Sequence, residues 1–170
     1  GLDLLGEGCS AAEAIRGLVR DNPFTAYRQL AAIDRQGKTS CFSGEKTLGT
    51  YAGAEGDQCV AVGNLLSDPE IPLEMVSAFT EDPDQHLAHR LLRALERGLD
   101  AGGEVSPVNS AGLLVVHEQP WPLVDLRVDW QDSPLRALRE LWRRYEPQIK
   151  TFLSWALSPD EAPPFQSKEK

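Results

Sequence analysis

Two stretches with strand-like alternation, residues 27–34 and 39–43, are separated only by Arg35-Gln36-Gly37-Lys38. A gap this short, carrying a glycine, commits both stretches to a β-hairpin. Ahead of it, Ser10-Ala11-Ala12-Glu13 has the form of a capping box. Ala14, Ile15, Leu18 and Val19 then recur at helical spacing, so an amphipathic helix is expected to run until Asp21-Asn22-Pro23 stops it. The first quarter of the chain thus joins a helix to antiparallel strands.

The rest continues in short elements. Residues 58–62 form a short apolar strand running into Gly63-Asn64-Leu65-Leu66, where glycine breaks the pattern before Asp68-Pro69 opens a helical region. Apolar residues recur at three and four over 71–79 and again over 86–99, where Leu87, Leu91, Leu92 and Leu95 make one stripe. Ala101-Gly102-Gly103 closes this pair of helices. Residues 111–116 are a continuous apolar run of strand length, residues 121–130 alternate, and residues 134–157 read as a helix interrupted at Pro147. A polar, proline-bearing tail follows over 158–170. Helix, hairpin, strand, two helices, two strands and helix is the order of an α+β fold in which helices cover antiparallel sheets. The 170 residues fit one domain, with 1–157 as its folded part.

Charge and composition remove several function classes. The formal charge is -9, and Arg136, Arg139, Arg143 and Arg144 are interleaved with Glu140 and Glu146 as on a solvated helix face, so no nucleic-acid partner is expected. No run of about 18 apolar residues exists, and the start has no basic-then-apolar leader. No membrane partner is expected, and the cytoplasm is the expected location. Cys9, Cys41 and Cys59 are odd in number and widely spaced, fitting neither a disulfide framework nor a zinc motif.

The chain opens on Gly1, and its only methionine is Met75. Gly1-Leu2-Asp3-Leu4-Leu5-Gly6 reads as the last turns of a helix closing on a glycine, with no start signal before it. The expectation is that a segment of the same protein precedes Gly1.

Four constellations can carry chemistry. Period-two geometry over 124–130 sets Asp125, Arg127 and Asp129 on one strand face. Such a ladder either binds substrate through bidentate and ammonium contacts or neutralises itself as a structural network. Asn64, following Gly63 at a strand end, is placed either to donate to a developing oxyanion or to bond its own turn. Ser110, at the mouth of the strand at 111–116, suits a substrate contact or a strand-entry hydroxyl. It lies in no Gly-x-Ser-x-Gly elbow, and no spacing supports a triad with His117. His86 and His89 lie three apart on one helix face, a spacing open to metal only if other elements add ligands; solvated surface is the alternative. Trp121 and Trp130 flank the ladder strand and can wall a pocket, whereas Trp142 and Trp155 fit helix packing faces.

Several blocks together resemble the domain of unknown function 1028 family, in the family's order. They are Gly1-Leu2-Asp3-Leu4-Leu5, Tyr27-Arg28-Gln29-Leu30, Val62-Gly63-Asn64-Leu65-Leu66, Ser110-Ala111-Gly112-Leu113-Leu114-Val115-Val116 and Val124-Asp125-Leu126-Arg127-Val128-Asp129. That family is similar to the N-terminal nucleophile (Ntn) hydrolases. The resemblance implies a four-layer αββα sandwich with antiparallel sheets, its front strands missing from this chain. In such enzymes a Ser, Thr or Cys at a chain start attacks an amide carbonyl, its own α-amino group is the base, and N–H groups or an Asn amide hold the oxyanion. The block matching residues 1–5 follows the family's opening strands, so the resemblance puts the nucleophile outside this chain. It leaves Asn64 as a possible oxyanion donor and Asp125, Arg127, Asp129 and Ser110 as substrate contacts.

The expected function is therefore an amide-bond hydrolase of Ntn type acting on a small amide or peptide-like compound, with this chain as its larger, carboxyl-terminal piece. It calls for no cofactor and no metal. The alternatives are a non-catalytic binding or assembly protein that keeps the fold, and a hydrolase using Ser110. The apolar helical stretch from Trp142 to Trp155 is compatible with a homodimer.

Overall fold

A computed structural model of the chain describes residues 1–20 and 22–164. Asp21, expected in the helix stop, and residues 165–170 of the polar tail lie outside the described residues. Chain packing divides the molecule into two compact units, Gly1–Asn109 and Ser110–Lys170.

The first unit begins with a single helical turn, α1 (Leu2–Gly6), whose left-handed closing residue is not Gly6 but Gly8, at φ 97°. The helix hydrogen bonds run past Gly6, with Glu7 N–H donating to Asp3 O at 2.9 Å and Cys9 N–H to Leu4 O at 3.0 Å. The reversal therefore falls at the next glycine. Helix α2 (Ala11–Arg20) starts on the expected capping box. Glu13 N–H donates to Ser10 Oγ at 3.3 Å, and Ser10 N–H donates back to Glu13 Oε2 at 2.8 Å. A third anchor comes from outside the helix, since Ala11 N–H donates to Asp34 Oδ2 at 3.1 Å.

Asp34 also builds the hairpin turn. Its Oδ1 accepts the N–H groups of Gln36 at 3.0 Å and Lys38 at 2.9 Å, and Gly37 supplies the positive φ of 75°. The turn joins β1 (Gln29–Ile33) to β2 (Thr39–Ser43), antiparallel with Leu30 opposite Phe42. The strand expected from residue 27 begins later because Thr25–Tyr27 close a 3-10 turn, with Tyr27 N–H donating to Phe24 O at 3.0 Å.

A second hairpin pairs β3 (Ala52–Gly56) with β4 (Cys59–Gly63), with Gly53 opposite Val62. Its position follows from two glycines on opposite faces. A Cβ on Gly53 would sit 2.9 Å from Cys41 Sγ of β2, and one on Gly56 would sit 2.5 Å from Val76 Cγ1. Strand alternation turns these positions to opposite sides, so the second hairpin has the first on one face and α3 (Ile71–Thr80) on the other. Ala52, Ala54, Ala61 and Gly63 share the Gly56 face and keep it flat enough for the helix to lie close. Helix α2 packs on β1 and β2 from the far side of the first hairpin, and Ala12, Ile15, Val19, Ser40 and Phe42 line an open cavity there.

Helix α4 (Leu87–Asp100) packs on α3 around Ile71, Phe79, Ala88 and Leu92, all buried. The Arg90 guanidinium lies 4.0 Å from the Phe79 ring centroid while its Nε donates to Phe79 O at 3.1 Å. His86 is the cap of α4, its Nδ1 accepting the Ala88 N–H at 3.1 Å.

In the second unit, β5 (Ala111–Val115) and β6 (Val124–Val128) form an antiparallel hairpin. Leu113, Val115, Val124 and Val128 are buried, as are Leu135, Leu138 and Trp142 of α5 (Pro134–Tyr145), which packs on this hairpin. Tyr145 Oη donates to Leu123 O at 2.9 Å and ties the end of α5 to the start of β6. Pro147 falls in a 3-10 turn before α6 (Ile149–Leu157), so the helix interruption occurs where the proline predicts it. Among the described residues the three sheets are antiparallel pairs and the strands alternate with helices, an α+β fold. Among the described residues no helix is long and apolar enough to cross a membrane.

Two outcomes follow. The Ala11 N–H, then those of Lys38 and Gln36, hold the Asp34 carboxyl below its ordinary range. Its contribution is present above the unfolded-state pKa and is lost as pH falls through the lower folded value. Asp34→Asn should therefore flatten the acid limb of a stability-versus-pH curve measured by urea denaturation, and an unchanged limb would refute the assignment. Gly56→Ala should lower stability by about 1–3 kcal/mol, the usual cost of overpacking a tight contact, measured by the same denaturation at neutral pH.

Candidate functional site

Asn64 occupies a corner that the chain enters by an unusual route. β4 ends at Gly63, where a Cβ would come 2.7 Å from Leu66 Cδ2, so only glycine lets the buried Leu66 fold back over the strand end. The next residue but one, Leu65, has φ 52°. Left-handed backbone costs a residue with a Cβ about 1–2 kcal/mol and persists only where its surroundings over-determine it.

Those surroundings are hydrogen bonds from two separate segments, residues 48–50 and 103–105. Leu65 N–H donates to Leu48 O at 3.1 Å, Leu66 N–H to Thr50 O at 2.9 Å and Val105 N–H to Leu65 O at 2.8 Å. Ser67 N–H donates to Gly103 O at 3.0 Å, extending the same seam. Gly49, itself left-handed at φ 64°, lies against Leu65, since a Cβ there would meet Leu65 Cδ2 at 3.0 Å. On the strand side, Gln29 Nε2 reaches Gly63 O at 3.0 Å, Ala52 O at 3.1 Å and Ser43 Oγ at 3.0 Å.

The consequence for Asn64 is geometric. A trans peptide is planar, so a held carbonyl fixes the N–H across the same bond. Gln29, together with the ladder in which Gly63 stands opposite Ala52, holds the Gly63 carbonyl and thereby the direction of the Asn64 N–H. The Leu65 N–H bond to Leu48 fixes the peptide on the other side. Asn64 is half-buried, and among the described residues neither its main-chain N–H nor its side-chain amide makes a hydrogen bond. The corner thus presents amide N–H donors from a rigid backbone, the arrangement that stabilises developing negative charge on oxygen.

The other expected site residues belong to the second unit. Ser110 is exposed immediately before β5. Asp125 and Arg127 lie on the hairpin face turned away from α5, as the alternation predicts, and form an ion pair at 3.7 Å. Their side chains are 49% and 73% exposed, so this pair is worth little. The expected three-residue ladder is corrected to a pair. β6 stops at Val128, Asp129 enters a bend, and no ion pair involves Asp129 among the described residues. Trp130 is 76% exposed.

The thiols and histidines complete the inventory. Burial, reinforced by the Glu55 carboxylate that accepts from Cys41 Sγ at 3.7 Å, pushes the Cys41 thiol up, and burial does the same at Cys59. Raised thiols are poor nucleophiles. His86 serves as a helix cap, and no group of three or more His, Cys, Asp or Glu side chains among the described residues converges as a metal site. Sequence reasoning did not single out Gln29 or Leu65 as site residues. Both lie inside blocks that carried the family resemblance, but their roles depend on partners far along the chain.

A comparison with curated proteins gave no match. The crystal structure of a DUF1028 protein from Silicibacter pomeroyi is similar at 31% identity and a TM-score of 0.73 over 82% of this chain. The match spans 61% of the Silicibacter pomeroyi chain. Residues 1–138 match the model of the family of unknown function DUF1028, and the chain belongs to that family.

Proposed function

We propose that the protein is an amide-bond hydrolase of Ntn type, acting on a small amide or peptide-like compound, with Asn64 as an oxyanion donor. The observation that carries this reading is the clamped corner after β4, where backbone strain at Leu65 is spent on holding an amide-bearing residue with unengaged donors. The succession of α2, first hairpin, second hairpin and α3 supports the four-layer sandwich that such enzymes use. The raised Cys41 and Cys59 thiols are unsuited to the task. We assign the nucleophile to the part of the family's length that the match does not span, since it covers 61% of the Silicibacter pomeroyi chain. The cytoplasm is the proposed location. On the second unit, taken by itself, Asp125 and Arg127 are proposed as a surface that binds a charged group, with Ser110 and Asp129 as lesser contacts.

The test is a panel of small amides, short peptides and esters offered to the full-length protein. Turnover of at least one amide is expected, and Asn64→Ala should lower kcat by about a hundredfold or more while circular dichroism stays unchanged, the usual effect of removing an oxyanion donor. Absence of turnover across the panel would sink the reading and leave a binding or assembly protein on this fold.

A further inference from the structure

We infer that Gln29 is the positioning residue of the Asn64 corner, acting through the Gly63 carbonyl. The inference rests on the reading of Asn64 as an oxyanion donor for its catalytic consequence, but the placement itself stands on geometry. Gln29 is the first residue of β1, and its side-chain nitrogen bonds an atom of each of three other strands: Ser43 in β2, Ala52 in β3 and Gly63 in β4. Ala52 and Gly63 are paired across the second hairpin, and Gln29 and Ser43 across the first. One amide therefore joins the open ends of both hairpins at the level where β4 gives way to Asn64.

Among the described residues no other side-chain hydrogen bond joins the hairpins at this end. Thr39 and Cys41 reach Glu55 from β2, but Glu55 stands one residue from the β3–β4 turn, remote from Asn64. Removing the Gln29 amide would leave the Gly63 carbonyl to the β3–β4 ladder alone, where Gly63 stands opposite Ala52, and loosen the peptide plane that carries the Asn64 N–H. The Leu65 to Leu48 bond would still hold the far side. The corner should then stay folded but lose one of its directional constraints, and small misplacement of a catalytic group is costly in rate.

The experiment compares the full-length wild-type protein with Gln29→Leu, which keeps the stem and removes the donor, and with Ser43→Ala, which removes an acceptor not on the route to Asn64. In the wild type, the Gln29 side-chain amide protons should be protected from exchange with solvent. This measurement needs no variant and covers the case in which Gln29→Leu does not fold. In Gln29→Leu the main-chain and side-chain amide resonances of Asn64 should move, while Ser43→Ala leaves them in place. On any amide that the wild type turns over, Gln29→Leu should lower kcat about tenfold with KM little changed. Free exchange of the Gln29 protons, or unmoved Asn64 resonances in folded Gln29→Leu, would overturn the inference. Moved resonances with no turnover by the wild type would support the placement of Gln29 while removing the hydrolase reading.

Discussion

The first unit depends on a close approach that side chains would prevent. The second hairpin lies between the first hairpin and α3, and on each side a glycine marks the contact, Gly53 against Cys41 and Gly56 against Val76. Ordinary sheet-on-sheet spacing is about 10 Å because side chains fill the gap. Here the alanine and glycine face of β3 and β4 brings backbone toward helix, so the helix is positioned by shape and by the apolar burial of Ile71, Val76 and Phe79. The position of β4, and therefore of the corner at its end, is inherited from that packing.

Much of this architecture was legible in local signals. The Ser10 to Glu13 capping box forms with both of its bonds, the turn after Asp34 closes where glycine allows it, and Pro147 breaks the last helix. These features are written in a few adjacent residues. β3 was not foreseen, because Ala-Gly-Ala-Glu-Gly has no β-branched or aromatic side chain and little strand preference of its own. It is a strand because β4 and its two covering layers need a small-residue partner there. The strand expected over 121–130 shortened to Val124–Val128 for the complementary reason. Alternation continues in the sequence, but Val115 opposite Val124 and Ala111 opposite Val128 mark the ends of the ladder.

The site was half legible. Gly63-Asn64 announces a break at a strand end, and that much holds. What makes the break a rigid corner comes from Gln29, Leu48, Thr50 and Val105, which lie from 14 to 41 positions away from Asn64 or its neighbours and leave no periodic trace. Conversely, the Asp125, Arg127 and Asp129 pattern looked more organised on paper than it is. Strand alternation sets the direction of a side chain, yet it cannot say where the strand ends, and one bend removes the third member.

The Gln29 amide offers two hydrogens to three oxygens. Two of those oxygens are main-chain carbonyls fixed by the second hairpin, while the third is a serine hydroxyl that can rotate and find another partner. The junction therefore has a compliant member and two stiff ones. Small sliding of one hairpin across the other can be absorbed at Ser43, so thermal motion between the layers need not reach the peptide that precedes Asn64.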